Sequence, residues 1–327
     1  MAKNLKKQIK GKKSNQLDLK SYFTEQLEFH QVWIDSFCRT FDFPSQFEDL
    51  GQKKDTGKEN YLAVVHLDGN QIGQKFKEKN NLIELRQLSI TIDRIVKDAF
   101  QSLLNQIKME WEAISKELSL DHQTIPLIPI VVGGDDLTLV CHGKLGIYFA
   151  ELLLKAFAQN SDKLTACAGV AIAKTKYPFY RIYQLAKELC ENAKKSARQN
   201  SSCWLDWQLI REGTVGELQQ LRDIHFTIAG NNFLYHKPYD VNNIYTYGFT
   251  ELLEQTVQLT KSLSETKINR LQQVLFQGEE PVQMFLEREK QRHPNLNIPN
   301  GLAPLDAIEL LSFYPEFVLG GVLNVTS

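Results

Sequence analysis

No CxxC pair occurs among the five cysteines, Cys38, Cys141, Cys167, Cys190 and Cys203. That excludes the usual spacing of a structural zinc motif or a dithiol redox centre. They sit mostly in apolar surroundings and read as small buried hydrophobes in a reducing compartment. No stretch approaches the roughly 18 apolar residues of a membrane span, and the N-terminus has none of the regions of a signal peptide. The chain is therefore expected to be cytoplasmic, with no membrane partner. Net charge is only −1, so no field of one sign coats the surface for nucleic acid. The local exception is Lys3, Lys6, Lys7, Lys10, Lys12 and Lys13. They read as a disordered basic tail over 1–16, with a weak RNA contact as the alternative.

What is present is an ordinary globular composition, 43% hydrophobic and 24% charged over 327 residues, enough for one large domain or two to three small ones. Leu17 to Phe43 carries apolar residues at helical spacing and predicts one amphipathic helix ending near Pro44. Gly51 to Asn60 is polar and predicts a linker, so 17–60 forms an N-terminal helix and linker. Strands and helices then alternate. A strand over Tyr61–Leu67 ends at Asp68-Gly69, and a helix runs from Leu85 to Leu118. A hairpin follows, from Ile125–Val132 through Gly133-Gly134-Asp135-Asp136 to Leu137–Cys141. Next come a helix over 145–158, a strand over 164–173, a helix over 178–198 and a closing strand over 203–210. That order predicts an α+β, ferredoxin-like sandwich over 61–211, an antiparallel sheet with helices on one face. From 212 to 327 the pattern is a small α-helical domain.

Two features carry chemistry. The first strand ends in Asp68 and the hairpin turns at Asp135-Asp136, so neighbouring antiparallel strands would bring three carboxylates to one sheet edge. Left alone, such a cluster repels itself and raises its own pKa values. Hard divalent cations remove that cost and retain sites for substrate phosphates, and two of them can clamp an in-line phosphoryl displacement. Gly133 and Gly134 permit positive φ and close approach of a triphosphate. Each part also has a bland reading, since Asp-Gly and Gly-Gly-Asp-Asp are ordinary turn sequences. On the helix over 178–198, Lys187, Lys194 and Arg198 share one face. They suit the β- and γ-phosphates of a nucleotide, or simply a solvated surface. Lys195 points elsewhere, toward a pairing with Glu191.

The runs Leu67-Asp68-Gly69-Asn70-Gln71-Ile72-Gly73, Gly133-Gly134-Asp135-Asp136, Cys167–Ala173 and Ala186–Lys195 together resemble the palm domain of the large, polymerase-like subunit of type III CRISPR effectors. That family is related to GGDEF and class III nucleotide cyclases. The resemblance covers roughly residues 55–320, strongly in the palm and loosely beyond it. It implies ATP-dependent synthesis of a cyclic di- or oligoadenylate in antiviral defence, with Mg2+ or Mn2+ (two ions) held by Asp68, Asp135 and Asp136. It also implies Lys194 and Arg198 toward the triphosphate, and Ser89 as a purine contact or a plain helix-surface residue; Gly69, Gly133, Gly134 and Lys187 complete the expected nucleotide-binding set. Asn70 stands where family members often carry a second acid. One palm, without a nuclease or zinc motif, implies a stand-alone form. It would work as a homodimer with facing sites or with a second palm-containing chain. The other readings are a silent palm serving as scaffold or nucleotide-binding subunit of a CRISPR ribonucleoprotein, and a guanylate-using cyclase.

Overall fold

Alternation along Tyr61–Gly69 (β1) decides how the molecule is layered. Leu62 and Val64 face one side of the sheet, while Ala63, Val65 and Leu67 face the other, and each set is buried in a different apolar cluster. In this computed structural model, residues 27–29, 31–44, 46–47, 50, 60–120, 123–161, 164–210, 218, 222, 235–245, 248–275, 277–292 and 303–325 are described. The expected basic tail over 1–16 and most of the expected linker, 51–59, lie outside them.

Before β1, among the described residues, stands one helix, Gln31–Cys38 (α1). Residues 27–29 are not helical, so the single helix expected over Leu17–Phe43 is confined to 31–38 within the described residues. After β1 come Ile72–Lys77 (α2), Leu82–Met109 (α3) and Trp111–Leu118 (α4). Asn81 caps α3, its side chain accepting from the Glu84 N–H while its amide donates to the Glu84 carboxylate at 2.8 Å. The long helix expected to reach Leu118 is interrupted at Glu110, which leaves the helical region at φ −97°, ψ 10°. Only Ile92 onward is buried; Leu82, Ile83 and Ile90 remain exposed on the first turns of α3.

The expected hairpin forms from Leu127–Gly133 (β2) and Asp136–His142 (β3). Gly146–Gln159 (α5), Ala166–Lys174 (β4), Phe179–Gln199 (α6) and Trp204–Leu209 (β5) follow. The strand order β2-β3-β1-β4 is that of a ferredoxin-like sheet, with α3 and α5 on the Ala63/Val65/Leu67 face. Two details depart from expectation. Strand β5 pairs with β4 in parallel, so the sheet is mixed. The crossover helix α6 lies on the opposite face, over Leu62, Val64, Val140 and Ala171, so the helices are not confined to one side. A parallel βαβ unit requires its helix to cross a sheet face, and here the free face was that one. Ile182, Leu185 and Leu189 anchor α6 there, each worth roughly 1.5–3 kcal/mol of burial.

Gly169 on β4 lets α6 come close. A Cβ there would lie 2.1 Å from the Ala186 carbonyl oxygen and 2.4 Å from the Cys190 nitrogen. All five cysteines are free, and four are buried.

Beyond the palm strands, Tyr239–Asp240 (β6) adds to the edge of β5. Among the described residues that follow are the helices Phe249–Ser262 (α7), Glu265–Leu275 (α8), Glu279–Arg292 (α9), Pro304–Phe313 (α10) and Glu316–Val325 (α11). Their apolar faces join the same core that α3 and α5 build on the sheet. Buried polar contacts tie α10 to β5, β6 and the residues just before β6: the Trp207 indole donates to Glu309, Lys237 pairs with Glu309 at 2.7 Å, and the Tyr239 hydroxyl donates to Asp306. No helix among the described residues is long and apolar enough to cross a membrane.

Candidate active site

Antiparallel register sets Asp68, near the end of β1, directly opposite Asp136 at the start of β3. Such partners have Cβ atoms about 4.5–5.5 Å apart, so the two carboxylates share one edge of the sheet. The Gly69 N–H donates to the Asp135 carbonyl at 3.2 Å, which locks the strand end to the hairpin turn. Gly69 itself is there for packing: a Cβ would meet Ile72 at 2.7 Å.

The turn is held from behind by a residue the sequence did not single out. Gly134 has φ +64°, and its N–H donates to Asp93 Oδ1 on α3 at 2.9 Å. Asp93 is in turn bridged to Lys97 at 2.8 Å. Ser89 lies exposed on α3, one turn before Asp93.

From the face of α6, Lys194 Nζ reaches Asp68 Oδ2 at 2.7 Å. Glu191 approaches the same ammonium at 3.7 Å, so its ion pair is with Lys194 rather than the expected Lys195. Lys187 and Arg198 are exposed, Lys187 standing 5.9 Å from the ring centre of Tyr183. Lys194 and Arg198 line a cavity of about 220 Å³ together with Asn70, Gln71, Glu191 and Ala197.

Electrostatics follow from this crowding. Burial pushes the Asp136 carboxyl up to about 6, helped by the charges of Asp68 and Asp135. Burial also raises Asp68, with Asp135 and Glu191 adding to the rise and Lys194 opposing it. Burial alone would depress Lys194, but its hydrogen bond to Asp68 and the nearby negative charges more than offset that, so it is raised.

Three ligand atoms converge within 4.8 Å of one another, and they come from Asp68, Asp136 and His66. Asp135 is not in that group; it acts on both acids through its charge. His66 went unnoticed in the sequence, although a strand places residues i and i+2 on one face. It is buried, and burial followed by Lys187 and Lys194 drives its imidazole down to about 4, so it is neutral at physiological pH.

Asn70 has a structural account. Its side-chain amide donates to Thr165 Oγ1 at 2.9 Å and to the Ser202 carbonyl at 3.4 Å. A carboxylate in its place would set oxygen against that carbonyl with no proton to share. Its Oδ1 is buried and meets no donor among the described residues.

Residues 61–203 match the family model of the Cas10/Cmr2 second palm domain. Among solved structures, the chain is similar to Csm1 of T. onnurineus, with a TM-score of 0.51 and 17% identity over 86% of this chain and 39% of that one. It is also similar to a Csm1–Csm4 cassette in complex with AMPPNP, with a TM-score of 0.50 and 18% identity over 81% of this chain and 38% of that one. At such identities the likeness is one of fold. The chain spans less than two fifths of the length of these structures. Comparison with curated proteins found none that matches.

Proposed function

Residues 61–203 are a palm domain of the type III CRISPR Cas10/Cmr2 family, and from that premise we propose that the chain joins ATP molecules into a cyclic di- or oligoadenylate. The observation that carries this reading is the register opposing Asp68 to Asp136, with Lys194 reaching in at 2.7 Å. The AMPPNP held by the similar Csm1–Csm4 cassette supports a nucleotide here as well.

The donor set fits a hard divalent ion: two desolvated carboxylates of raised pKa repel each other until a cation lies between them. Asp68 and Asp136, with Asp135 beside them, would hold Mg2+ or Mn2+, which supplies activation of a 3′-hydroxyl and neutralisation of phosphate charge. The chain's own groups do the rest. Lys194 exchanges its bond to Asp68 for the triphosphate, and Arg198 adds a second cation along the same cavity. Lys187 contributes at longer range, through charge. The Gly133-Gly134 turn leaves room for the phosphates, and Asp93 keeps the Gly134 N–H from turning into the site. The hydroxyl of one nucleotide attacks the α-phosphate of another and pyrophosphate leaves. A second palm must therefore bring the second nucleotide, either as a homodimer partner or on another subunit of a CRISPR complex.

Mass spectrometry of the products formed from ATP or GTP with Mg2+ or Mn2+ tests the proposal. Cyclic adenylates are the expected outcome; no product from any triphosphate with dimeric protein overturns it. The second reading, a silent nucleotide-binding subunit of a ribonucleoprotein, draws on the closed Asp68–Lys194 pair and on Asn70 in place of an acid. Copurified RNA without turnover would favour it.

A further inference from the structure

Of the side chains around the two acids, His66 is unaccounted for by nucleotide binding. It sits two residues before Asp68 on β1, so both project from the same sheet face, and Thr138 stands opposite it as Asp136 stands opposite Asp68. The four residues form a square on the face that α6 covers. One ring nitrogen, Nδ1, lies 2.9 Å from Thr138 Oγ1. The ring of Tyr183 meets the imidazole edge-on, with centroids 6.1 Å apart. The imidazole is therefore fixed at one nitrogen and packed on its flank, which leaves Nε2 as the nitrogen for another partner. Orientation of a histidine through its second nitrogen is the usual support for a metal-binding imidazole.

The ligand atoms of His66, Asp68 and Asp136 lie within 4.8 Å of one another. Donors that share an ion at about 2.1–2.2 Å stand at most roughly 4.4 Å apart when opposite, and roughly 3.8 Å apart when three are spread evenly, so the three side chains draw together to seat a cation among them. A site made only of carboxylates, water and phosphate suits Mg2+. One imidazole added to two carboxylates shifts the balance toward first-row transition ions, of which Mn2+, the weakest binder in the series, is the one that shares the oxygen preference of Mg2+.

We infer that His66 is a nitrogen ligand of the cation held by Asp68 and Asp136, and that it makes the site prefer Mn2+ over Mg2+. The inference rests on the two-acid metal site of the proposed function and adds the identity of a third ligand and of the preferred ion. Lys194 works against binding of any cation, since it already occupies Asp68 Oδ2, and nucleotide phosphates that draw it away would strengthen the site.

The test is Mn2+ binding to the full chain, read by electron paramagnetic resonance and by calorimetry, without nucleotide and with AMPPNP. Pulsed spectra of the wild type are expected to carry a 14N coupling from a directly bound imidazole, and His66→Gln is expected to lose that coupling. The same substitution should weaken Mn2+ by at least about tenfold while changing Mg2+ much less. Mn2+ that binds the wild type without nitrogen coupling overturns the inference and leaves the two-acid site standing. Failure of Mn2+ to bind the wild type, or binding unchanged in Asp136→Asn, overturns both. Because the coupling is read on the wild type, the result stands even if His66→Gln folds poorly.

Discussion

Lys194 Nζ lies 2.7 Å from Asp68 Oδ2, so a side chain suited to phosphate rests on a side chain suited to metal. On the proposed function the pair stands in for the loaded site, with the ammonium supplying part of the positive charge that a cation would bring. Lys194→Met is expected to tighten Mn2+ binding several-fold in the absence of nucleotide and to weaken ATP by at least about tenfold. Calorimetric titrations of each ligand separately would register both changes. If both affinities fall together, Lys194 supports Asp68 instead of competing for it.

Asp136 and Asp135 differ although they are neighbours. Asp136 belongs to the group of converging ligand atoms and Asp135 does not. Product formation should fall by at least about a hundredfold in Asp136→Asn and by clearly less in Asp135→Asn, as measured by product yield per hour. Equal losses would mean that the turn rearranges to bring Asp135 into contact with an ion.

Asp93→Ala removes the acceptor of the Gly134 N–H, 2.9 Å away. A loss of about 1 kcal/mol of stability is expected, together with a fall in kcat at little change in nucleotide affinity. Asp93→Asn, which retains an acceptor oxygen, should recover most of both. Denaturant melts and steady-state kinetics on the two variants separate this positioning role from a general structural one.

The acid side of the stability curve should report His142. Burial, helped by the charge of Lys144, holds its imidazole down to about 4, and its Nδ1 accepts the Lys144 N–H at 3.2 Å. The unfolded chain protonates near 6.5 whereas the folded one does not. The contribution is therefore complete above pH 6.5 and is lost as pH falls toward 4. Between pH 7.5 and 5 the loss is about 2 kcal/mol. His66, likewise held down to about 4 by burial, adds to the same limb, so His142→Asn should make it shallower without abolishing it, as followed by chemical denaturation at several pH values; an unchanged slope would mean that the His142 ring is protonated in the native state.

Much of the palm was legible because its signals are local. Alternation over Tyr61–Leu67, the Gly-Gly turn and the spacing of Ile182, Leu185 and Leu189 each depend on residues close together in the chain. What stayed hidden depends on contacts across it. Asp93 lies 41 positions from the glycine it holds, and nothing in its helix marks it out. His66 carried a readable sign, the i, i+2 spacing to Asp68, but inside an apolar strand it looks like a tolerated polar interruption. The second-face position of α6 required knowing that β5 runs parallel to β4, and strand direction is not written in periodicity. The two-residue β6 is too short for any pattern. Asn70 reads in the sequence only as a missing acid, and its hydrogen bonds to Thr165 and Ser202 show only in the structure.

The bare main chain of Gly169 under α6 has a mechanical consequence. With the Ala186 carbonyl and the Cys190 nitrogen almost upon the strand and only the Leu189 Cβ beside them, there is little at that point to compress or swell. The helix rests there on a hard stop, and the stop lies only a few residues along α6 from Lys194. The clearance between the acids on the sheet and the ammonium above them is thus gauged by peptide against peptide, so the slot proposed for the nucleotide has a height that cannot be padded or shaved without remaking the strand.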